Sequence, residues 1–202
     1  MTVGMTQSKI IGVTGITGSG TSTVSAILQD LGGYVIYADK LAHDVILKGQ
    51  PAYEKIVQIF DREILDPQSG EVNRKALGAL VFGKPDKLAL LESIIHPEVI
   101  AKIHQLLARA QGFPFAVIDA PLLIESGLHK ICGSVWLVTA TNEARLARII
   151  SRDGIDAETA TRRIKSRAGD DSLRPHADVI IENNTDLASL RRAVVAVAPF
   201  AE

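Results

Sequence analysis

The chain has 202 residues, 47% of them apolar and 22% charged, with a formal charge of −1. That balance fits a soluble globular protein and excludes any general attraction to nucleic acid or an anionic membrane, so small-molecule partners are the expectation. A single cysteine, Cys132, excludes an intramolecular disulfide and a cysteine-based zinc cluster, which favours a reducing compartment and makes the cytoplasm the expected location.

The N-terminal "MTVGMTQSKIIGVTG" has no long apolar run behind a basic segment, and no stretch reaches the roughly 18 apolar residues of a spanning helix. The protein is expected to be neither exported nor embedded, with Met5 an alternative start. Then "KIIGVTG" (9–15) reads as a strand, "ITGSG" as a tight turn and "TSTVSAILQDL" as an amphipathic helix, with Val24, Ile27, Leu28 and Leu31 on one face. A second strand, "YVIYAD" (34–39), precedes a long segment, 40–112, with several helical patterns and a turn at "DPQSGE". Strands follow at "FAVIDA" (115–120), "SVWLVTA" (134–140) and "ADVIIEN" (177–183), with helical periods over 142–152 and 185–197 and an arginine-rich stretch at 153–176.

These near-continuous apolar runs predict buried parallel strands with helices on both faces, an α/β doubly wound five-stranded sheet in a single domain, 1–202. Segments 40–112 and 153–176 exceed what short crossovers need. They read as insertions over a site at the carboxyl ends of the strands, where ligands bind in such sheets.

The turn after the first strand has the spacing of a phosphate-binding loop. Gly15, Gly18 and Gly20 let the backbone wrap an anion, the helix N-terminus supplies N–H groups and positive dipole, and Ser22 presents a hydroxyl to Mg²⁺. The bland alternative is an ordinary strand-turn-helix with Ser22 or Thr23 near a cap. A dinucleotide fingerprint fits less well, because Thr23 stands where its last glycine or alanine belongs. One residue is out of pattern: Thr21 occupies the lysine position.

The succession "GITGSGTSTVSAILQDLGGYVIYADKLAH", "GEVNRKALGALVFGKPDKLALLESIIHPEV", "VIDAPLLIESGL", "RLARIISRDG" and "ADVIIENN" resembles the dephospho-CoA kinase family over about residues 9–190. That resemblance implies a P-loop kinase fold similar to the nucleoside-monophosphate kinases, with 40–112 as the acceptor-binding region and about 148–175 as an arginine-bearing lid. It implies transfer of a phosphoryl group from ATP, with Mg²⁺, to the ribose 3′-hydroxyl of dephospho-CoA.

Phosphoryl transfer needs positioning, charge neutralisation and an acceptor for the hydroxyl proton. Asp39, closing the second strand, is the candidate base and matches the family's aspartate; its bland reading is a helix cap. Asp119, closing the third strand, is a candidate Mg²⁺ carboxylate beside Ser22, or else a turn aspartate before Pro121. Gly15, Gly18, Ser19, Gly20, Thr21, Ser22 and Thr23 form the expected nucleotide loop. Arg145, Arg148 and Arg152 share one helical face. Of these, Arg148, as a phosphate-handling catalytic residue, and Arg152, on the nucleotide, match the family, as does Arg163. Arg145 does not obviously match, and Arg167 stands where the family has glutamine. His43, Arg74, His96 and Pro97 match the acceptor region.

Three departures stand out: Thr21 for lysine, Tyr37 for the first aspartate of an Asp-Ala-Asp pattern, and Asp61 for a glycine. Loss of one well-placed donor costs about 10² to 10³ in rate. Lys40 or a lid arginine is the expected substitute cation, and the "GSGTTT" loop of archaeal cytidylate kinases is similar. The rival readings are a kinase acting on another small-molecule acceptor and a nucleotide-binding relative without turnover. A GTPase-type switch is disfavoured, because no Asn-Lys-x-Asp motif is present.

Overall fold

In the computed structural model, which describes residues 5–165 and 170–198, the chain divides into two compact units. One comprises Met1–Tyr37 and Leu107–Glu202 and the other Ala38–Leu106.

The first unit is built on five parallel strands: β1 (Ile10–Gly15), β2 (Tyr34–Tyr37), β3 (Ala116–Asp119), β4 (Ser134–Thr139) and β5 (Val179–Glu182). Their order, β2-β3-β1-β4-β5, is doubly wound: β1 is central and the chain builds outward first to one side and then to the other. In register, Val13 lies beside Asp119 on one flank and Trp136 on the other. Alternation sends side chains to opposite faces. On one face Ile11, Val13, Phe115, Val117, Trp136 and Val138 pack with Val24, Ile27 and Leu28 of α1 (Thr21–Asp30) and with Leu190 and Val194 of the C-terminal helix. On the other, Leu137 packs with Ile16 and Leu173. Each such fully buried aliphatic or aromatic side chain contributes about 1.5 to 3 kcal/mol.

The expectation of uniformly buried strands holds for β1 and β3 but not for the edges. In β5, Ile180 is 41% exposed and Glu182 also faces solvent, because an edge strand has a neighbour on one flank only. The second strand also ends earlier than its apolar run suggests. It stops at Tyr37, and α2 (Ala38–Asp44) begins at once, so Asp39 lies in the first turn of a helix, not at a strand end.

The second unit contains α2, α3 (Pro51–Phe60), α4 (Arg74–Val81) and most of α5 (Pro85–Arg109), around Ile56, Ile64 and Ile103, each 0% exposed. The "DPQSGE" turn is closed by Asp66, whose carboxylate accepts from Ser69 N at 2.8 Å and Gln68 N at 3.1 Å. Those bonds hold its carboxyl below the ordinary carboxylate value. Asn73 caps α4 by accepting from Lys75 N and Ala76 N. Asp61 explains its own departure. Its φ of 66° and ψ of 168° fall in a region suited to glycine, and it is stabilised there by accepting from Arg62 N at 2.6 Å.

The first unit continues with α6 (Asn142–Asp153), capped by Thr141, then α7 (Ala157–Lys165) and α8 (Leu187–Val197), capped by Asp186.

Candidate phosphoryl-transfer site

At the carboxyl end of the central strand, the chain leaves β1 through Ile16–Gly20 and enters α1 at Thr21. Two glycines are required by backbone conformation, Gly18 with φ 85° and Gly20 with φ 100°. Gly15 is required by space: a Cβ there would lie 2.5 Å from the Val138 carbonyl oxygen and 2.6 Å from Ser19 Oγ. Ser19 is fully buried and its N–H donates to the Ile16 carbonyl at 3.0 Å. Gly20, as N-cap of α1, offers no side chain, and the N–H groups of Thr21 and Ser22 have no intrahelical acceptor. The result is an anion-binding helix terminus. Ser22 is exposed there, and Thr23 N donates back to the Gly20 carbonyl. The Thr21 methyl lies 3.1 Å from the position a Gly15 Cβ would take, so this side chain packs back toward the end of β1.

The three arginines of α6 part company. Arg145 is only 5% exposed; its Nε donates to the Thr17 carbonyl at 2.9 Å and its Nη1 to Asn142 Oδ1 at 2.9 Å. Arg148 Nη1 donates to the carbonyls of Gly18 (3.3 Å) and Ser19 (3.2 Å), while Nη2 donates to the Asn183 carbonyl (2.7 Å) and Oδ1 (3.1 Å). Arg152 is exposed and pairs with Asp153 at 2.7 Å; Arg163 of α7 reaches the same carboxylate at 2.6 Å. The Arg152 hydrogen bond holds the Asp153 carboxyl below its ordinary value, and Asp153 in turn raises Arg152. Arg145 and Arg148 thus hold loop carbonyls, and Arg152 is paired with its neighbour. Arg167 lies outside the described residues.

Asn183 is a residue that sequence reasoning missed. It is 5% exposed, follows β5, and donates from Nδ2 to the Ser19 carbonyl at 2.8 Å. A Cβ on Gly20 would collide with that same Nδ2. The signal available in sequence was a polar residue at the carboxyl end of a strand, where the crevice of a parallel sheet lies.

Asp119 ends β3 at 5% exposure, beside Val13 of β1 and in register with Tyr37 of β2. Burial, and then the Asp119 charge, raise the Tyr37 hydroxyl above its ordinary value. Ser22, on the first turn of α1, and Asp119, at the end of β3, each offer a hard oxygen. Among the described residues no group of three or more His, Cys, Asp or Glu side chains gathers. Mg²⁺ fits such oxygens, since it takes one or two protein oxygens and completes its shell with water and phosphate.

The acceptor candidates belong to the second unit. Asp39 and His43 are one helical turn apart on α2, both exposed. Arg74 opens α4, also exposed, and His96 and Pro97 lie inside α5, where Pro97 deprives the Ser93 carbonyl of its helical donor. No hydrogen bond or ion pair among the described residues joins these five to one another.

The dephospho-CoA kinase family profile matches residues 9–189. The chain belongs to the dephospho-CoA kinase family. It is 37% identical over 190 residues to the dephospho-CoA kinase of Carboxydothermus hydrogenoformans, covering 93% of this chain and 92% of that one. It is 38% identical over 192 residues to that of Dehalococcoides mccartyi, covering 94% and 96%. Among solved structures, TT1252 from Thermus thermophilus superposes with a TM-score of 0.80 at 34% identity, covering 93% of this chain and 95% of that one. The dephospho-CoA kinase from Campylobacter jejuni gives 0.61 at 29% identity, covering 94% and 95%. The five-stranded P-loop kinase architecture expected from sequence is thus the family's own. No helix among the described residues is long and apolar enough to cross a membrane.

Proposed function

We propose that this chain transfers the γ-phosphoryl group of ATP to the 3′-hydroxyl of dephospho-CoA, in the cytoplasm, as a step of coenzyme A synthesis. The observation that carries the reading is the braced loop. Three successive carbonyls, of Thr17, Gly18 and Ser19, face guanidinium or amide donors, leaving the helix-terminal N–H groups for phosphate.

In this reading the loop from Gly15 to Thr23 binds the triphosphate. Asp39 receives the acceptor's proton as the 3′-oxygen bonds to the γ-phosphorus and the bond to the β,γ-bridging oxygen breaks, releasing ADP. Mg²⁺, held through Ser22 and Asp119 together with phosphate oxygens, supplies charge neutralisation when bound. Arg148 and Arg152 complete the electrostatic frame, and His43, Arg74, His96 and Pro97 bind the acceptor. The experiment uses protein purified free of host kinases, incubated with Mg-ATP and dephospho-CoA, CMP or AMP in turn. Phosphorylated product from dephospho-CoA alone is expected.

Thr21 favours one second reading, a relative that binds nucleotide without turnover. It requires that ATP raise the melting temperature by mass action while no acceptor is phosphorylated.

A further inference from the structure

The loop lacks the ammonium group that a lysine at position 21 would project among the phosphates, yet two guanidinium groups and one carboxamide donate to its carbonyls. We infer that Arg145, acting with Arg148 and Asn183, supplies from outside the loop the electrostatic stabilisation that a lysine at position 21 would supply from inside. This inference rests on the phosphoryl-transfer reading.

A hydrogen bond donated to a carbonyl oxygen polarises that peptide, and its own N–H becomes a stronger donor. Arg145 Nε acts on the Thr17 carbonyl, whose peptide partner is the N–H of Gly18. Arg148 Nη1 and Asn183 Nδ2 both act on the Ser19 carbonyl, whose partner is the N–H of Gly20. Arg148 also acts on the Gly18 carbonyl, but the partner there, Ser19 N–H, is spent on Ile16. The polarised donors left to the loop are therefore Gly18 and Gly20, the two residues whose positive φ shapes it. Hydrogen bonds from an ionised donor are roughly twice as strong as neutral ones, so the guanidinium character of the brace matters. Burial lowers the local dielectric and strengthens the effect further: Arg145 and Asn183 are each 5% exposed. Arg145 is also the α6 arginine against whose backbone Gly18 closes, with 3.2 Å from an ideal Gly18 Cβ to the Arg145 Cα. Arg145 and Asn183 are positioning residues: they act on the phosphates through the backbone.

The test is a double-mutant cycle. Arg145→Gln keeps a neutral donor in place of the charge and is expected to lower kcat by about 10² in the parent and by less than about 3-fold in a Thr21→Lys background. Equal losses from Arg145→Gln in both backgrounds, or a gain of about 10² from Thr21→Lys alone, would overturn the inference. Should Arg145→Gln fail to fold, Asn183→Asp stands in for it: it keeps the shape but removes the donor to Ser19. An about 10-fold rise in KM for ATP with KM for dephospho-CoA unchanged is expected, and no change in either would overturn the inference. If the parent phosphorylates none of the acceptors, the kinase reading fails on its own. The same cycle is then read from the melting-temperature rise given by Mg-ATP, which Arg145→Gln and Asn183→Asp should reduce and Thr21→Lys should restore. An identical rise in all variants would overturn the brace.

Discussion

In the first unit the chemistry-bearing side chains are sewn into the backbone: Arg145, Arg148 and Asn183 together donate to the carbonyls of Thr17, Gly18, Ser19 and Asn183. In the second unit Asp39, His43 and Arg74 stand exposed on helix turns, with no bond among them in the described structure. A triphosphate is the same in every kinase, and a rigid backbone cradle preorganised for it loses little entropy on binding. On the proposed reading, the exposed side chains are instead ordered by the acceptor, at about 0.5 to 1.5 kcal/mol each. The contrast, on that proposed reading, writes donor recognition in backbone geometry and acceptor recognition in side chains.

The harshest test of the contrast is Gly20→Ala. A Cβ there meets Asn183 Nδ2 in a left-handed conformation, so turnover should fall by roughly 10³ and the melting-temperature rise with Mg-ATP should vanish. A kinase that tolerates alanine at position 20 would show that the cradle is not rigid. Next comes Asp39→Asn, expected to lower kcat by about 10² with KM for ATP within 2-fold, read from initial rates. A matching rise in KM for ATP would blur the division of labour between the units.

Smaller effects separate the units by stability. Asp61→Gly relieves a left-handed backbone in the second unit and should raise unfolding stability by about 1 to 2 kcal/mol without altering kcat, measured by urea titration. Last is Cys132 in the first unit, whose thiol burial pushes up to about 12 from 9.0. A pKa raised on folding stabilises fully below about pH 9, and that stabilisation is lost as pH rises through about 12. At pH 10, Cys132→Ser should therefore show a smaller alkaline loss than the parent, by about 1 kcal/mol, one pKa unit being worth 1.36 kcal/mol.

Much of the first unit was legible because its signals are local. Short β-branched runs marked all five strands, and apolar spacing marked α1, α6 and α8. The boundary at Tyr37 was missed because "YVIYAD" stays apolar across the change from strand to helix, and no breaker residue marks it. Arg145 was set apart because it does not obviously match the family's pattern, and nothing in a sequence reveals that a guanidinium finds a part-buried carbonyl 128 positions away. Asn183 was invisible for the same reason: its partner, Ser19, is remote in sequence. Asp61 was recognised as a departure, but its left-handed φ belongs to tertiary geometry.

The first unit is interrupted in sequence, and that bears on how the protein is made. β1 pairs with β3 and β4, and β2 pairs with β3, so neither of the first two strands has a partner until the chain beyond Leu107 exists. At about 5 to 20 residues per second, the apolar "IIGVTG" and "YVIY" segments wait several seconds on a ribosome while the second unit is synthesised. Once complete, the ring closes at a cost that grows only with the logarithm of the intervening length, about 0.6 kcal/mol per doubling. The inserted unit can therefore lengthen, shorten or be exchanged during evolution with little penalty to the sheet that carries the phosphate loop.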